Sequence, residues 1–166
     1  MSEIYLSRLF YASTATEKYS PTELGNILKS CRKNNPALNI TGMLFLGNGY
    51  FLQCLEGPRS NVNALYKKIL VDERHTEVQV LEFREVADRY FGEWTMKYVG
   101  SINVISKILK ETGLKEFNPY LVDNYTLNAM VEAFRDYNEP EAAVADTSGV
   151  KNKKGGFDIL GMFKRS

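Results

Sequence analysis

Phe45-Leu46-Gly47-Asn48-Gly49-Tyr50-Phe51-Leu52-Gln53 is a pair of apolar, strand-like runs meeting at a turn, and its reading decides the fold. Asn and Gly both accept positive φ, so an Asn-Gly pair between such runs is a strong hairpin signal. Residues 39–46 and 50–56 are therefore expected to be antiparallel neighbours. Within the second run, Gln53 places a primary amide among apolar residues on both faces of the strand. A buried amide needs partners, and it carries both donors and an acceptor. Backbone groups or an exposed edge could satisfy it. A planar heterocycle with adjacent carbonyl and ring nitrogens could do so as well. Tyr11 in an early strand, Asn34-Asn35-Pro36 after a helix and Trp94-Thr95-Met96 in a late strand favour the ligand.

Upstream of the hairpin, residues 5–13 alternate as a strand with Leu6, Arg8, Phe10 and Ala12 on one face and Tyr5, Ser7, Leu9 and Tyr11 on the other. Ser20, Pro21 and Glu23 have the spacing of a capping box, and Leu24, Ile27, Leu28 and Cys31 follow at helical spacing. Pro36 cannot continue that helix and disfavours helical backbone at Asn35. Downstream, Val62, Leu65, Tyr66, Ile69 and Leu70 form one stripe of a helix running to about His75. Strands are expected at 78–86 and 94–99, with Trp94 and Met96 on one face of the second.

The resulting order, βαββαββ, is an α+β pattern of the ferredoxin-like kind: a mixed five-stranded sheet with two helices on one face. Helices at about 101–112, stopped by Gly113, and 123–137 could cover the other face through Val104, Ile105, Ile108, Leu109, Leu127, Met130, Val131 and Phe134. Three parts are expected: a domain at 1–100, a two-helix extension at 101–137 and a flexible tail at 138–166. The tail's apolar cluster from Phe157 to Phe163 reads as a chain end or a docking motif.

Composition narrows the function classes. The 166 residues are 44% hydrophobic and 25% charged, as in ordinary globular proteins, and the net charge of +1 gives no reason to expect nucleic acid as a partner. No apolar run is long enough to span a membrane, and the start lacks a leader pattern. Cys31 and Cys54 fall in segments that look buried, which favours free thiols over a disulfide and a cytoplasmic setting.

As a set, Arg8-Leu9-Phe10-Tyr11-Ala12-Ser13, Asn34-Asn35-Pro36 with Ile40-Thr41-Gly42-Met43-Leu44, Phe51 through Gly57, Asp72-Glu73-Arg74-His75 and Phe91-Gly92-Glu93-Trp94-Thr95-Met96 closely resemble the BLUF domain, a blue-light sensor that uses FAD. The resemblance covers residues 4–100, and the helices beyond look like those of short, stand-alone members without a fused enzyme. It implies an isoalloxazine ring between the first two helices, flanked by Ile27 and Ile69, with Asn35 on its pyrimidine edge and Asn34 nearby. Cys31, Phe51, Lys68, Asp72 and Met96 complete the implied cofactor contacts, for FAD or else FMN or riboflavin. Each has a plainer use: Ile27 and Ile69 as core, Asn34-Asn35-Pro36 as a helix stop, Lys68 and Asp72 as solvated charges. Cys31 stands where the family commonly has a hydroxyl, a better donor than a thiol, and Lys68 where it often has the planar fork of arginine.

The resemblance further implies that Tyr11 gives an electron and a proton to the excited flavin while Gln53 rotates or tautomerises, with Trp94 and Met96 sensing the change. A homo-oligomer or a separate effector protein would receive the signal, and no catalytic turnover is expected. The topology also suits an acylphosphatase-like hydrolase or an RNA-recognition module. Arg8 lacks the glycine loop of an anion cradle, however, and Gln53, Cys54 and Glu56 interrupt an aromatic stacking strand.

Overall fold

A computed structural model describes residues 5–138; the expected tail beyond Asn138, including its apolar cluster, lies outside the described residues. The elements are β1 (Leu6–Ala15), α1 (Pro21–Asn34), β2 (Thr41–Gly47), β3 (Tyr50–Pro58), α2 (Arg59–Ile69), β4 (His75–Glu85), β5 (Lys97–Val99), α3 (Ser106–Thr112) and α4 (Asn124–Asp136). Short 3-10 turns at Pro36–Leu38, Ile102–Ile105 and Pro119–Leu121 punctuate them. The sheet runs β4-β1-β3-β2-β5, antiparallel except for the β2–β5 pair, so it is the mixed ferredoxin-like sheet expected of the sequence.

The hairpin forms as its sequence dictates. Asn48 and Gly49 take φ of 53° and 78°, the paired left-handed conformations that let a two-residue turn match the twist of its strands. β3 is the central strand, and its alternation splits two cores. Phe51 and Leu55 face a cluster with Leu28, Cys31, Leu65 and Ile69 from α1 and α2. Leu52 and Cys54 face a second cluster with Leu109, Leu127, Met130 and Phe134 from α3 and α4. Burial on both faces explains why β3 reads as a nearly unbroken apolar run. Both cysteines are buried and free.

Four local expectations are corrected. Ser20 precedes α1, but its hydroxyl pairs with Thr22 and Glu23 turns outward to Arg74, so no capping box closes. α2 stops at Ile69 rather than near His75, because the Asp72 carboxylate accepts the Arg74 amide at 2.9 Å and holds residues 72–74 in a turn that competes with helix. β4 accordingly starts at His75, earlier than expected. β5 has only three residues: the Trp94 carbonyl is taken by the Gly42 amide and the Thr95 carbonyl by the Asn35 side chain, which bends the chain before the ladder begins.

Candidate functional site

Between α1 and α2, against the sheet, lies a cleft of about 620 Å³ counting its mouth, of which about 60 Å³ could hold the centre of a water. It is a slot. A planar ligand flanked by apolar walls fits that shape, and small-molecule sites share the largely apolar lining with a few placed polar groups. Ile27 and Cys31 form one wall, Leu65 and Ile69 the other, and Tyr11, Leu44, Phe51, Gln53, Leu55 and Met96 the floor.

The sheet register sets the polar centre. Tyr11 of β1 lies directly opposite Gln53 of β3, and the Tyr11 hydroxyl donates to Gln53 Oε1. Gln53 Nε2 faces Met96 Sδ at 3.7 Å. A thioether is a weak acceptor, so the amide has spare donor capacity. Burial, with smaller contributions from Cys31, Tyr66 and Asp72, pushes the Tyr11 phenol well above its ordinary value, so it stays protonated. Burial also pushes the Cys31 thiol up to about 12, which keeps it neutral and unreactive in the wall.

Asn35, at the end of α1, is 1% exposed, and its Nδ2 donates to the Thr95 carbonyl at 2.8 Å. Three buried side-chain polar atoms lack a hydrogen-bond partner among the described residues, and two of them are Asn35 Oδ1 and Asn34 Nδ2. An unpaired buried polar atom costs about 1–3 kcal/mol. Of the two residues only Asn35 lines the cleft, and a ligand edge that carries a ring N–H offers what its acceptor needs. The pyrimidine edge of a flavin has that chemistry, so the residues present fit it.

Of the residues singled out from the sequence, Tyr11, Ile27, Cys31, Asn35, Phe51, Gln53, Ile69, Asp72 and Met96 line the cleft. Asn34, Lys68 and Trp94 do not. The bend at Thr95 sends Met96 to the cleft and Trp94 to the opposite core, where Lys97 Nζ lies 4.1 Å from its ring centroid. The expected shared face of Trp94 and Met96 is thus replaced by two faces. Six lining residues were missed as site residues: the apolar Leu44, Leu55 and Leu65, and the polar-tipped Tyr19, Arg74 and His75. His75 Nε2 donates to the Ile69 carbonyl at 2.6 Å, and its Nδ1 lies 2.9 Å from the Ser13 hydroxyl, which pins the end of α2 to β1. A lone histidine after an Asp-x-Arg triplet was the available signal.

On the other face, Arg8 and Glu56 form a buried ion pair, with Nε to Oε2 at 2.9 Å and exposures of 2% and 0%. Glu56 also accepts the Tyr90 and Phe91 amides at 2.8 and 2.7 Å. The Tyr90 ring lies 3.4 Å from the Arg8 guanidinium carbon and 4.5 Å from that of Arg135. Arg8 is committed to this network and cannot cradle a phosphate. The aromatics of β3 lie beneath helices and cannot stack bases. Hydrolase and RNA-recognition readings are not favoured.

The family described as sensors of blue-light using FAD matches residues 6–97. The photoactivated adenylate cyclase beta subunit of Euglena longa is 40% identical over 92 residues, which are 55% of this chain and 11% of that protein. The alpha subunit from Euglena gracilis is 37% identical over 87 residues, 52% of this chain and 8% of that protein. The chain thus spans about a tenth of the length of these curated relatives. Among solved structures, BlsA in its ground state superposes with a TM-score of 0.79 at 29% identity, over 96% of this chain and 99% of that one. BlrB in its dark state gives 0.64 at 27% identity, over 78% and 96%.

Proposed function

Because the chain belongs to the BLUF family of sensors of blue light using FAD, and is a blue-light-sensing flavoprotein, we propose that the slot between α1 and α2 holds FAD and that Tyr11 and Gln53 are its photochemical pair. The observation that carries this reading is the Tyr11–Gln53 hydrogen bond at the floor of a slot lined by Asn35, whose Oδ1 retains no partner among the described residues. When bound, the flavin supplies a ring that absorbs blue light and, once excited, accepts an electron. Tyr11 donates that electron with its hydroxyl proton and later takes both back, so no atom is gained or lost over the cycle. Gln53, released from the Tyr11 hydroxyl in the interval, turns its amide or tautomerises, which exchanges donor for acceptor without changing net charge. Its link to the Met96 sulfur breaks at little cost because that acceptor is weak.

Met96 leads into β5, and Lys97 Nζ donates to the Arg135 carbonyl of α4 at 2.8 Å. The signal therefore leaves by contact, through β5 and the α3–α4 unit, to an oligomer or a separate effector protein. Residues 1–100 act as the flavin domain and 101–137 as the output element, in the cytoplasm. Among the described residues no helix is long and apolar enough to cross a membrane.

Purified protein should be yellow, and blue light should move its flavin bands slightly to the red, with recovery in darkness. A colourless protein that fails to take up added FAD defeats the reading. Asn35→Ala should weaken FAD binding by about 1–3 kcal/mol, since it removes an acceptor from a buried ligand edge. Titration by fluorescence quenching measures this, and an unchanged dissociation constant removes Asn35 from the site.

A further inference from the structure

The slot has a sealed floor and a partly exposed rim formed by Tyr19, Ile27, Asp72, Arg74 and His75. Its two helical walls touch each other little. Across the rim, Arg74 from the loop after α2 donates to Asp72 twice, Nε to Oδ1 at 3.0 Å and Nη2 to Oδ2 at 2.7 Å. This bidentate grip fixes the plane of the guanidinium. Its remaining nitrogen, Nη1, is thereby aimed at α1, where it reaches Glu23 Oε2 at 3.3 Å. Glu23 lies one turn before Ile27, on the same side of the helix. The three side chains are 15%, 22% and 6% exposed for Glu23, Arg74 and Asp72, so water screens their attraction only in part.

From this geometry we infer that the Glu23–Arg74 bridge is a clasp joining the two walls of the slot and setting how fast the flavin leaves. Glu23 is a positioning residue: it acts through Arg74 and α1. The inference rests on the flavin-binding reading above. A ligand lying between α1 and α2 can depart only when these elements separate at the rim, and the bridge is a partly buried side-chain link that opposes separation there. A second link, Lys18 to Glu73 at 2.5 Å, joins the preceding loop to the same turn, but its side chains are 55% and 77% exposed. Exposed pairs of that kind contribute little. Lys18 therefore serves as the control.

The test uses the full chain loaded with FAD, diluted so that released FAD is followed by its returning fluorescence. Glu23→Gln should release FAD roughly tenfold faster, the fold-change of a charge-assisted hydrogen bond discounted for partial exposure. Its absorption bands and light-induced shift should match the parent, because the floor is untouched. Lys18→Gln should release FAD at the parental rate. Raising salt from about 0.05 to about 0.5 M should speed release from the parent and leave Glu23→Gln unchanged. Equal release rates for parent and Glu23→Gln overturn the clasp, as does a salt-insensitive parent, which decides the matter even if the variant fails to fold. A chain that takes up no FAD at all fails earlier, overturning the flavin reading and the clasp with it.

Discussion

Replacing Gln53 by leucine should leave a yellow, flavin-loaded protein whose spectrum no longer shifts in blue light. Leucine keeps roughly the volume of the side chain at the floor of the slot, so the apolar walls and the Asn35 contact continue to hold the ring. What disappears is the one group that accepts from Tyr11 and can present either a donor or an acceptor to its surroundings. The expected effect is complete loss of the red-shifted state, read from light-minus-dark difference spectra. Light-scattering mass, compared in dark and light, should change for the parent and stay constant for the variant. A normal red shift in Gln53→Leu would show that another amide carries the photochemistry.

Glu56→Leu should be the most destabilising single change outside the slot. Glu56 is wholly buried and neutralises Arg8, and it also satisfies the amides of Tyr90 and Phe91. Removing it leaves a buried guanidinium without its counter-charge, hydrogen-bonded to the Asp88 carbonyl, and two amides, one buried and one part-buried, without their acceptor, and breaking one partner of such a pair costs about 3–5 kcal/mol. Pairing it with Arg8→Met should recover much of that loss, because an apolar pair of similar volume carries no desolvation penalty. Urea midpoints for the two single variants and the double measure the coupling. A loss below about 1 kcal/mol for Glu56→Leu would mean that the pair is solvated rather than buried.

The hairpin and the element order were legible in the sequence because each rests on local chemistry, an Asn-Gly turn and helical and strand periodicity, whereas the joint role of Tyr11 and Gln53 was implied by the family resemblance and rests on a β1–β3 register set across 42 residues. The separation of Trp94 from Met96 was not. Period-two alternation holds only while the ladder holds, and the bend comes from the side chain of Asn35, sixty residues earlier in the chain, taking the Thr95 carbonyl. Glu23 and Arg74 were hidden for a related reason. The spacing Ser20-x-x-Glu23 reads as a cap, and only the folded chain reveals an opposing guanidinium 51 residues away. Lys68, which the family resemblance implies at the slot, sits in the last turn of α2 outside the lining, whereas its neighbour Ile69 lies within it.

The brevity of β5 bears on what holds the floor of the slot in place. Its ladder joins Met43 to Lys97, closing a loop of 54 residues for only three paired positions. Relative to the two-residue hairpin turn, that closure costs about 3 kcal/mol more in chain entropy. Three edge pairings offset little of this by themselves. The segment is kept in register by two tethers at its start, Asn35 to Thr95 and Lys97 to the Arg135 carbonyl. The floor of the slot, which needs Met96, therefore depends on contacts from both α1 and α4. The same asparagine that lines the slot with an unpaired acceptor also anchors β5, so the polar edge of the site and the shortest strand of the sheet share one side chain.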